Sequence, residues 1–184
     1  MDKVIFIDRD GVINWDPIGD YIKKVEDFKY IDGVLESLRK LSVAGYRVVV
    51  ISNQAGIGDG VYKKQDLDII TDTMVKTVAA YGGKIDGVYH CLHGKNEGCS
   101  CRKPETGLFV QAANDFSFDK QQTFFIGDKV SDIVAGKRFG LKTILVRTGH
   151  GSTEEKKLTD DTRPDTVVAD LAEAVKIVLG GNTN

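Results

Sequence analysis

The sequence predicts an α/β domain whose parallel sheet is covered on both faces, and three features predict it. Apolar segments and helical patterns alternate along the whole chain. The apolar segments are continuous and β-branched instead of alternating with polar residues. No internal repeat and no Pro/Gly/Ser-rich linker divides them. Continuous apolar strands separated by helices need cover on both sides, which is the condition of a parallel sheet. The expectation is a single Rossmann-like, three-layer domain over residues 1–184 with a mostly parallel sheet.

The first strand is Lys3–Ile7 (KVIFI), stopped by the charged cluster Asp8-Arg9-Asp10-Gly11. Gly33–Ala44 is a helix, with Val34, Leu35, Leu38 and Leu41 at helical spacing and Gly45 in the terminating position. Tyr46–Ile51 (YRVVVI) is a second strand, and Lys64–Tyr81 a helix with Leu67, Ile70, Met74 and Val78 on one face. Ile85–Cys91 is a shorter strand, and a helix follows Pro104 over Glu105–Phe116. Thr123–Ile126 is a strand ending in Gly127-Asp128, Ser131–Phe139 a helix stopped by Gly140, and Lys142–Val146 a strand. The polar stretch Thr148–Asp165 leads to Thr166–Ala169 and the last helix, Asp170–Leu179. The loop Val12–Asp32 is long for a strand-to-helix connection, so it is expected to do more than connect.

Composition narrows the function. With 25 Lys+Arg against 27 Asp+Glu, the chain has no generally basic surface, so nucleic acid is not an expected partner. No apolar run approaches the ~20 residues of a membrane span. The start, MDKVIFIDRDG, lacks the apolar core and cleavage site of a secretory signal, so a cytoplasmic protein is expected. All three cysteines lie between Cys91 and Cys101. An odd number in one short loop suits reduced thiolate ligands better than disulfides.

Ligands of open α/β sheets bind at the carboxyl ends of the strands. Those ends carry Asp8 and Asp10, then Ser52-Asn53-Gln54, then the Cys91 loop leading to Arg102-Lys103-Pro104, then Asp128-Lys129 with Asp132. Carboxylates, a hydroxyl and a lysine on one rim call for a metal and an anionic substrate. One carboxylate facing a phosphate dianion at ~4 Å repels by about 8 kcal/mol at a surface-like dielectric. A hard dication reverses that sign, and Mg²⁺ is the usual choice beside phosphates. Cys91, His93, Cys99 and Cys101 offer the four donors of a closed, structural Zn²⁺ site in a loop, 91–101, that cannot pack a core. His90 competes as imidazole ligand but abuts Cys91 and is expected to point away.

The DxD at Asp8–Asp10, Ser52, Lys103 and the GDxxxD of Gly127–Asp132 resemble the haloacid dehalogenase-like superfamily of phosphatases, from Lys3 to about Gly149. Within it the closest resemblance is to the D-glycero-D-manno-heptose 1,7-bisphosphate phosphatases. The matching stretches are DRDGVIN (8–14), IDGV (31–34), SNQAGIG (52–58), CxH…CxCRKP (91–104), GDKVSD (127–132) and LVRTG (145–149). The chain departs from them at Leu92, at Glu105-Thr106-Gly107, and at Asp59, which stands where they place Arg.

The resemblance implies a Mg²⁺-dependent phosphomonoester hydrolase without a large cap domain, serving nucleotide-activated heptose and lipopolysaccharide precursors. Asp8 would be the nucleophile and Asp10 the acid/base. Asp8, the Asp10 carbonyl and Asp128 would hold Mg²⁺. Ser52 and Lys103 would bind the phosphoryl group, with Asp132 orienting Lys103 or the metal's waters. Candidate substrate contacts are Asp16, Tyr21, Ser52, Asn53, Gln54, Arg102, Lys103 and Lys129, for a small phosphorylated sugar. Trp15 and Tyr21 each either line a sugar pocket or merely pack. The glycines at 56, 58 and 60 are read as a flexible substrate-side loop, Glu154–Lys157 as a solvated helical turn, and His150 as exposed and unrecruited. A monomer is expected. Histidinol-phosphate phosphatases are the rival resemblance, sharing DRDG and the Cys/His loop; RTG at 147–149 and IDGV favour the heptose enzymes. A receiver-like phospho-accepting module is the rival of another class, but its acceptor carboxylate follows the third strand, where this chain has the Cys/His loop.

Overall fold

The computed structural model describes residues 1–17 and 19–180. The elements run β1 (Lys3–Ile7), α1 (Val34–Val43), β2 (Tyr46–Asn53), α2 (Ala55–Gly58), α3 (Lys64–Ala80), β3 (Gly87–Cys91) and α4 (Gly107–Asp115). They continue with β4 (Phe124–Gly127), α5 (Val130–Phe139), β5 (Lys142–Val146), α6 (Gly151–Glu154), β6 (Thr166–Val168) and α7 (Leu171–Val178). Short 3-10 turns lie at Val25–Asp27, Lys120–Gln122 and Glu155–Lys157. The six strands form one sheet in the order β3-β2-β1-β4-β5-β6. Every pairing is parallel, so the sheet is wholly and not mostly parallel.

The continuous apolar strands have the cause expected of them. In β1, Ile5 and Ile7 enter a layer shared with Leu38 and Leu41 of α1, Met74 and Val78 of α3, and Leu171 and Val175 of α7. Val4 and Phe6 point the other way, into a layer with Leu108 and Phe109 of α4 and Ala135 and Phe139 of α5. There the Phe109 ring meets Phe6 and Phe125 edge-on, at 5.2 and 5.0 Å, and stacks on Phe139 at 5.3 Å. Burying each ring contributes about 1.5–3 kcal/mol, which holds the two central strands against these helices.

Three element ends differ from the sequence expectation by two residues, each for a tertiary reason, and the other differences are of one residue. β2 runs past the apolar stretch to Asn53 because Ser52 and Asn53 pair with His90 and Cys91 of β3. β3 begins at Gly87 and not at Ile85, because the Asp86 carboxylate accepts the Val48 N–H at 3.1 Å and ends the ladder there. α4 begins two residues later than read, since Glu105 N–H and Gly107 N–H are spent on turns to Arg102 and Ser100. The glycine run after β2 is not a flexible loop: residues 55–58 form α2, and a Cβ at Gly58 would lie 2.1 Å from the Gly94 nitrogen. Glu154–Lys157 is helical, as read. No helix of the described residues is long and apolar enough to cross a membrane.

Candidate active site

Parallel strands deliver all their carboxyl ends to one rim, and the adjacent β1 and β4 deliver the acidic groups. Asp8 directly follows β1, and its N–H donates to the Ile126 carbonyl at 2.9 Å. Asp128 directly follows β4 and is fully buried, as is Asp132 in the first turn of α5. Carboxylate oxygens of Asp8, Asp128 and Asp132 lie within 4.8 Å of one another. Lys103, 4% exposed, places its Nζ 2.8 Å from Asp8 Oδ1 and 2.8 Å from Asp132 Oδ1, and donates to the Ile51 carbonyl at 2.9 Å. Its backbone is held from both sides by Asn53, whose Oδ1 accepts the Lys103 N–H and whose Nδ2 donates to the Lys103 carbonyl.

Electrostatics follow from that crowding. Burial pushes the Asp8 carboxyl up to about 6, with Lys103 opposing and Asp132 adding to the rise. Burial also holds Asp128 well above the usual carboxylate range, Lys129 opposing and Asp132 and Asp8 adding. For Lys103 burial favours the neutral amine, but Asp132 and Asp8 outweigh it and keep the ammonium charged. Asp128 Oδ2 accepts the His150 N–H at 2.8 Å, while its buried Oδ1 has no partner in the protein. Buried like charges with an orphaned oxygen form the donor set of a hard cation, so these residues fit Mg²⁺. Two glycines make the close approach possible. A Cβ at Gly11 (φ +87) or Gly149 (φ +57) would lie 2.1 or 2.3 Å from Asp128 Oδ2.

Asp10 faces different neighbours. Arg9, only 1% exposed, donates to it through Nε and Nη2, Asn14 Nδ2 donates at 3.0 Å, and Gln54 Nε2 at 2.8 Å. Burial alone would raise this carboxyl, but the Arg9 charge and these hydrogen bonds outweigh it and hold it below the usual range. Asp10 is therefore ionised in this arrangement.

Above these groups lies a cavity of about 430 Å³, within the usual size of a small-molecule site. Ser52, Asn53, Gln54, Arg102, Lys103, Lys129, Asp16 and Tyr21 all border it. Trp15 does not; it is 56% exposed, which separates it from Tyr21. Asp16 Oδ2 lies 2.8 Å from Lys129 Nζ and 3.0 Å from His150 Nε2. His150 is thus recruited to the site, against the sequence expectation. Its backbone N–H is drawn in by Asp128, which no residue pattern announces. Arg9, Asn14 and Tyr62 were missed as well; the positions of Arg9 and Asn14 inside DRDGVIN gave the available signal, and Tyr62 gave none.

The Cys/His loop closes on itself. Cys91 Sγ is 3.6 Å from His93 Nδ1, 3.6 Å from Cys99 Sγ and 3.1 Å from Cys101 Sγ, and Cys101 is 3.2 Å from His93 Nδ1. Tetrahedral Zn²⁺ with bonds of ~2.3 Å has ligand–ligand edges of about 3.8 Å, close to these spacings. The cysteines are free thiols, and His90 is not in the cluster. The quartet fits Zn²⁺.

A family model described as HAD-hydrolase-like matches residues 100–174. The chain is 37% identical to the D-glycero-beta-D-manno-heptose-1,7-bisphosphate 7-phosphatase of Pasteurella multocida, over 98% of both chains. It is 40% identical to the D-glycero-alpha-D-manno-heptose-1,7-bisphosphate 7-phosphatase of Campylobacter jejuni, over 86% of this chain and 87% of that one. Among solved structures, the D,D-heptose 1,7-bisphosphate phosphatase of B. bronchiseptica, complexed with magnesium and phosphate, superposes with a TM-score of 0.90 at 32% identity. It covers 98% of this chain and 99% of its own.

Proposed function

The chain belongs to the haloacid dehalogenase-like family of phosphatases, and from that premise we propose that it removes the 7-phosphate of D-glycero-D-manno-heptose 1,7-bisphosphate. One observation carries the chemistry: a buried ammonium, Lys103, stands 2.8 Å from the Asp8 carboxylate on the floor of the cavity. Asp8 attacks phosphorus and forms an aspartyl-phosphate, splitting one difficult hydrolysis into two steps. Asp10, ionised in the free site, takes up the proton of the monoanionic phosphate ester as it binds and passes it to the leaving sugar oxygen. It then takes one from the water that displaces Asp8 and releases phosphate. Ser52 and Lys103 bind the phosphoryl oxygens, and Asp132 keeps Lys103 in place. Asp8, the Asp10 carbonyl and Asp128 would hold Mg²⁺, which when bound neutralises the carboxylates facing the phosphate dianion. The magnesium and phosphate of the B. bronchiseptica relative support this reading. All these groups come from one chain, so a monomer suffices.

The distal 1-phosphate is assigned to Arg102. Of the other cations at the wall, Lys129 is already paired with Asp16, and Lys95 is exposed with its Nζ 5.8 Å from the centre of the Tyr21 ring. Arg102 has no carboxylate partner among the described residues, and its buried Nη1 is without a hydrogen bond. Asp16 and Tyr21 wall the sugar. Losing a charge-assisted contact costs ~1.5–3 kcal/mol, so Arg102→Ala is expected to lower kcat/KM on the bisphosphate about 10- to 150-fold. A simple monophosphate should hardly be affected, and steady-state kinetics on both substrates checks this; equal penalties would reject the assignment.

Zn²⁺ on Cys91, His93, Cys99 and Cys101 would stiffen the loop that presents Arg102 and Lys103, and thiolates kept reduced suit a cytoplasmic protein. Elemental analysis is expected to find about one Zn²⁺ per chain. Cys99→Ala should lower the melting temperature and weaken turnover indirectly. A zinc-free chain with unchanged melting and kinetics would reject this role. The substrate itself is tested by turnover of both anomers of the heptose bisphosphate, sugar monophosphates and histidinol phosphate. Faster hydrolysis of histidinol phosphate would replace the heptose reading.

A further inference from the structure

Gln54 has no hydrogen-bonding capacity to spare, and its partners dictate which way its amide faces. Its oxygen accepts from Arg9 Nη2 at 3.1 Å and from the Tyr62 hydroxyl at 2.5 Å. Its nitrogen donates to Asp10 Oδ2 and to Ser52 Oγ, both at 2.8 Å. A guanidinium offers only donors and a carboxylate only acceptors, so turning the amide over would oppose like to like at both ends. Ser52 Oγ is therefore the acceptor in its contact with Gln54, and its own proton must point elsewhere. Among the described residues, Ser52 Oγ donates to no protein acceptor, and Ser52 borders the cavity above Asp8. All four hydrogen-bonding positions of the Gln54 amide are taken, so it has no free atom to give a sugar.

We propose that Gln54 is a positioning residue that aims the Ser52 proton at a phosphoryl oxygen and locks the Asp10 carboxylate in register with it. It rests on the phosphatase reading above and adds a link between its two halves. The group that binds phosphate and the group that moves protons share one amide, which Tyr62 and Arg9 hold still. Tyr62 reaches Gln54 from the turn between α2 and α3, and its ring lies 6.0 Å from that of Tyr21 at the cavity wall. The sugar side of the pocket is thereby in packing contact with the network that sets the proton directions.

Two near-isosteric substitutions separate this role from packing. Gln54→Glu turns the donor into an acceptor, which repels Asp10 and takes the Ser52 proton away from phosphate. Gln54→Met keeps the volume and leaves that proton free. Calorimetric titration of the full-length, Mg²⁺-loaded chain with inorganic phosphate is expected to show Gln54→Glu weakened about tenfold or more and Gln54→Met within about threefold. Turnover should fall about 100-fold in Gln54→Glu and about tenfold in Gln54→Met. A purely structural role would lower melting temperature and active fraction while leaving phosphate affinity the same in both. Wild-type affinity in Gln54→Glu, or equal weakening in the two variants, would overturn the proposal. If neither variant folds, Tyr62→Phe decides it. The expectation is kcat lowered about 3- to 10-fold with KM unchanged, and kcat at the wild-type value would overturn it. Phosphate binding is read without turnover. A chain that bound phosphate as expected but left heptose bisphosphate intact would sink the substrate reading and leave the role of Gln54 standing.

Discussion

Asp8→Asn is expected to leave no measurable turnover, a loss of at least about 10⁴-fold, because the substitution removes the attacking oxygen and a metal ligand together. The fold should survive it. Asp8 is one of three acidic groups crowded within 4.8 Å, and burial and Asp132 both push its carboxyl upward. Neutralising one of them relieves repulsion, while Lys103 keeps Asp132 as a partner at 2.8 Å. Melting close to wild type, together with absent activity, is therefore the expected pair of measurements. Retention of even a tenth of the wild-type rate would exclude a covalent intermediate on Asp8. Asp10→Asn provides the companion test: the backbone carbonyl survives and the proton transfers are lost, while the buried Arg9 also loses its counter-charge.

Lys103→Met is expected to damage stability and activity at once. The ammonium lies between two buried carboxylates and also donates to the Ile51 carbonyl. Its removal strands both acids without a counter-charge. Breaking a buried pair in this way costs about 3–5 kcal/mol, readable as a lower denaturant midpoint at unchanged slope. Loss of the positive point against the phosphoryl oxygens should lower kcat about 10²–10³-fold besides. A variant within about 1 kcal/mol of wild type and within tenfold of its rate would show that Lys103 is peripheral to the cluster.

Much of this site could be read from the chain because its chemistry is local at each strand end. Asp8, Ser52 and Asp128 are polar residues that stop apolar runs, and a parallel sheet puts all such stops on one rim. The Cys/His quartet was legible because few other roles suit those residue types at that spacing. What could not be read depends on partners chosen across the fold. Arg9 looks like a surface charge in a turn until Asp10 and Gln54 bury it. Tyr62 follows a glycine-rich stretch, and nothing near it in sequence says that it will reach Gln54. His150 enters through its backbone N–H, which carries no residue signature. The extra length of β2 likewise comes from the pairing of Ser52 and Asn53 with β3, where hydropathy alone ends the strand.

The strand order β3-β2-β1-β4-β5-β6 also governs how the protein comes into being during synthesis. β1 leaves the ribosome first, yet it sits between β2 and β4, and β4 is not complete until Gly127 has emerged. At ~5–20 residues per second, an apolar strand carrying the nucleophile waits several seconds or longer with one edge unpaired. Until Asp128 emerges, Asp8 lacks a carboxylate that would share the Mg²⁺ with it, so a nascent chain holds no assembled phosphatase. Contacts so distant in sequence favour slow folding and a need for protection of the open edge. The same connectivity that concentrates the chemistry on one rim makes catalytic competence a late, all-at-once event in the life of the chain.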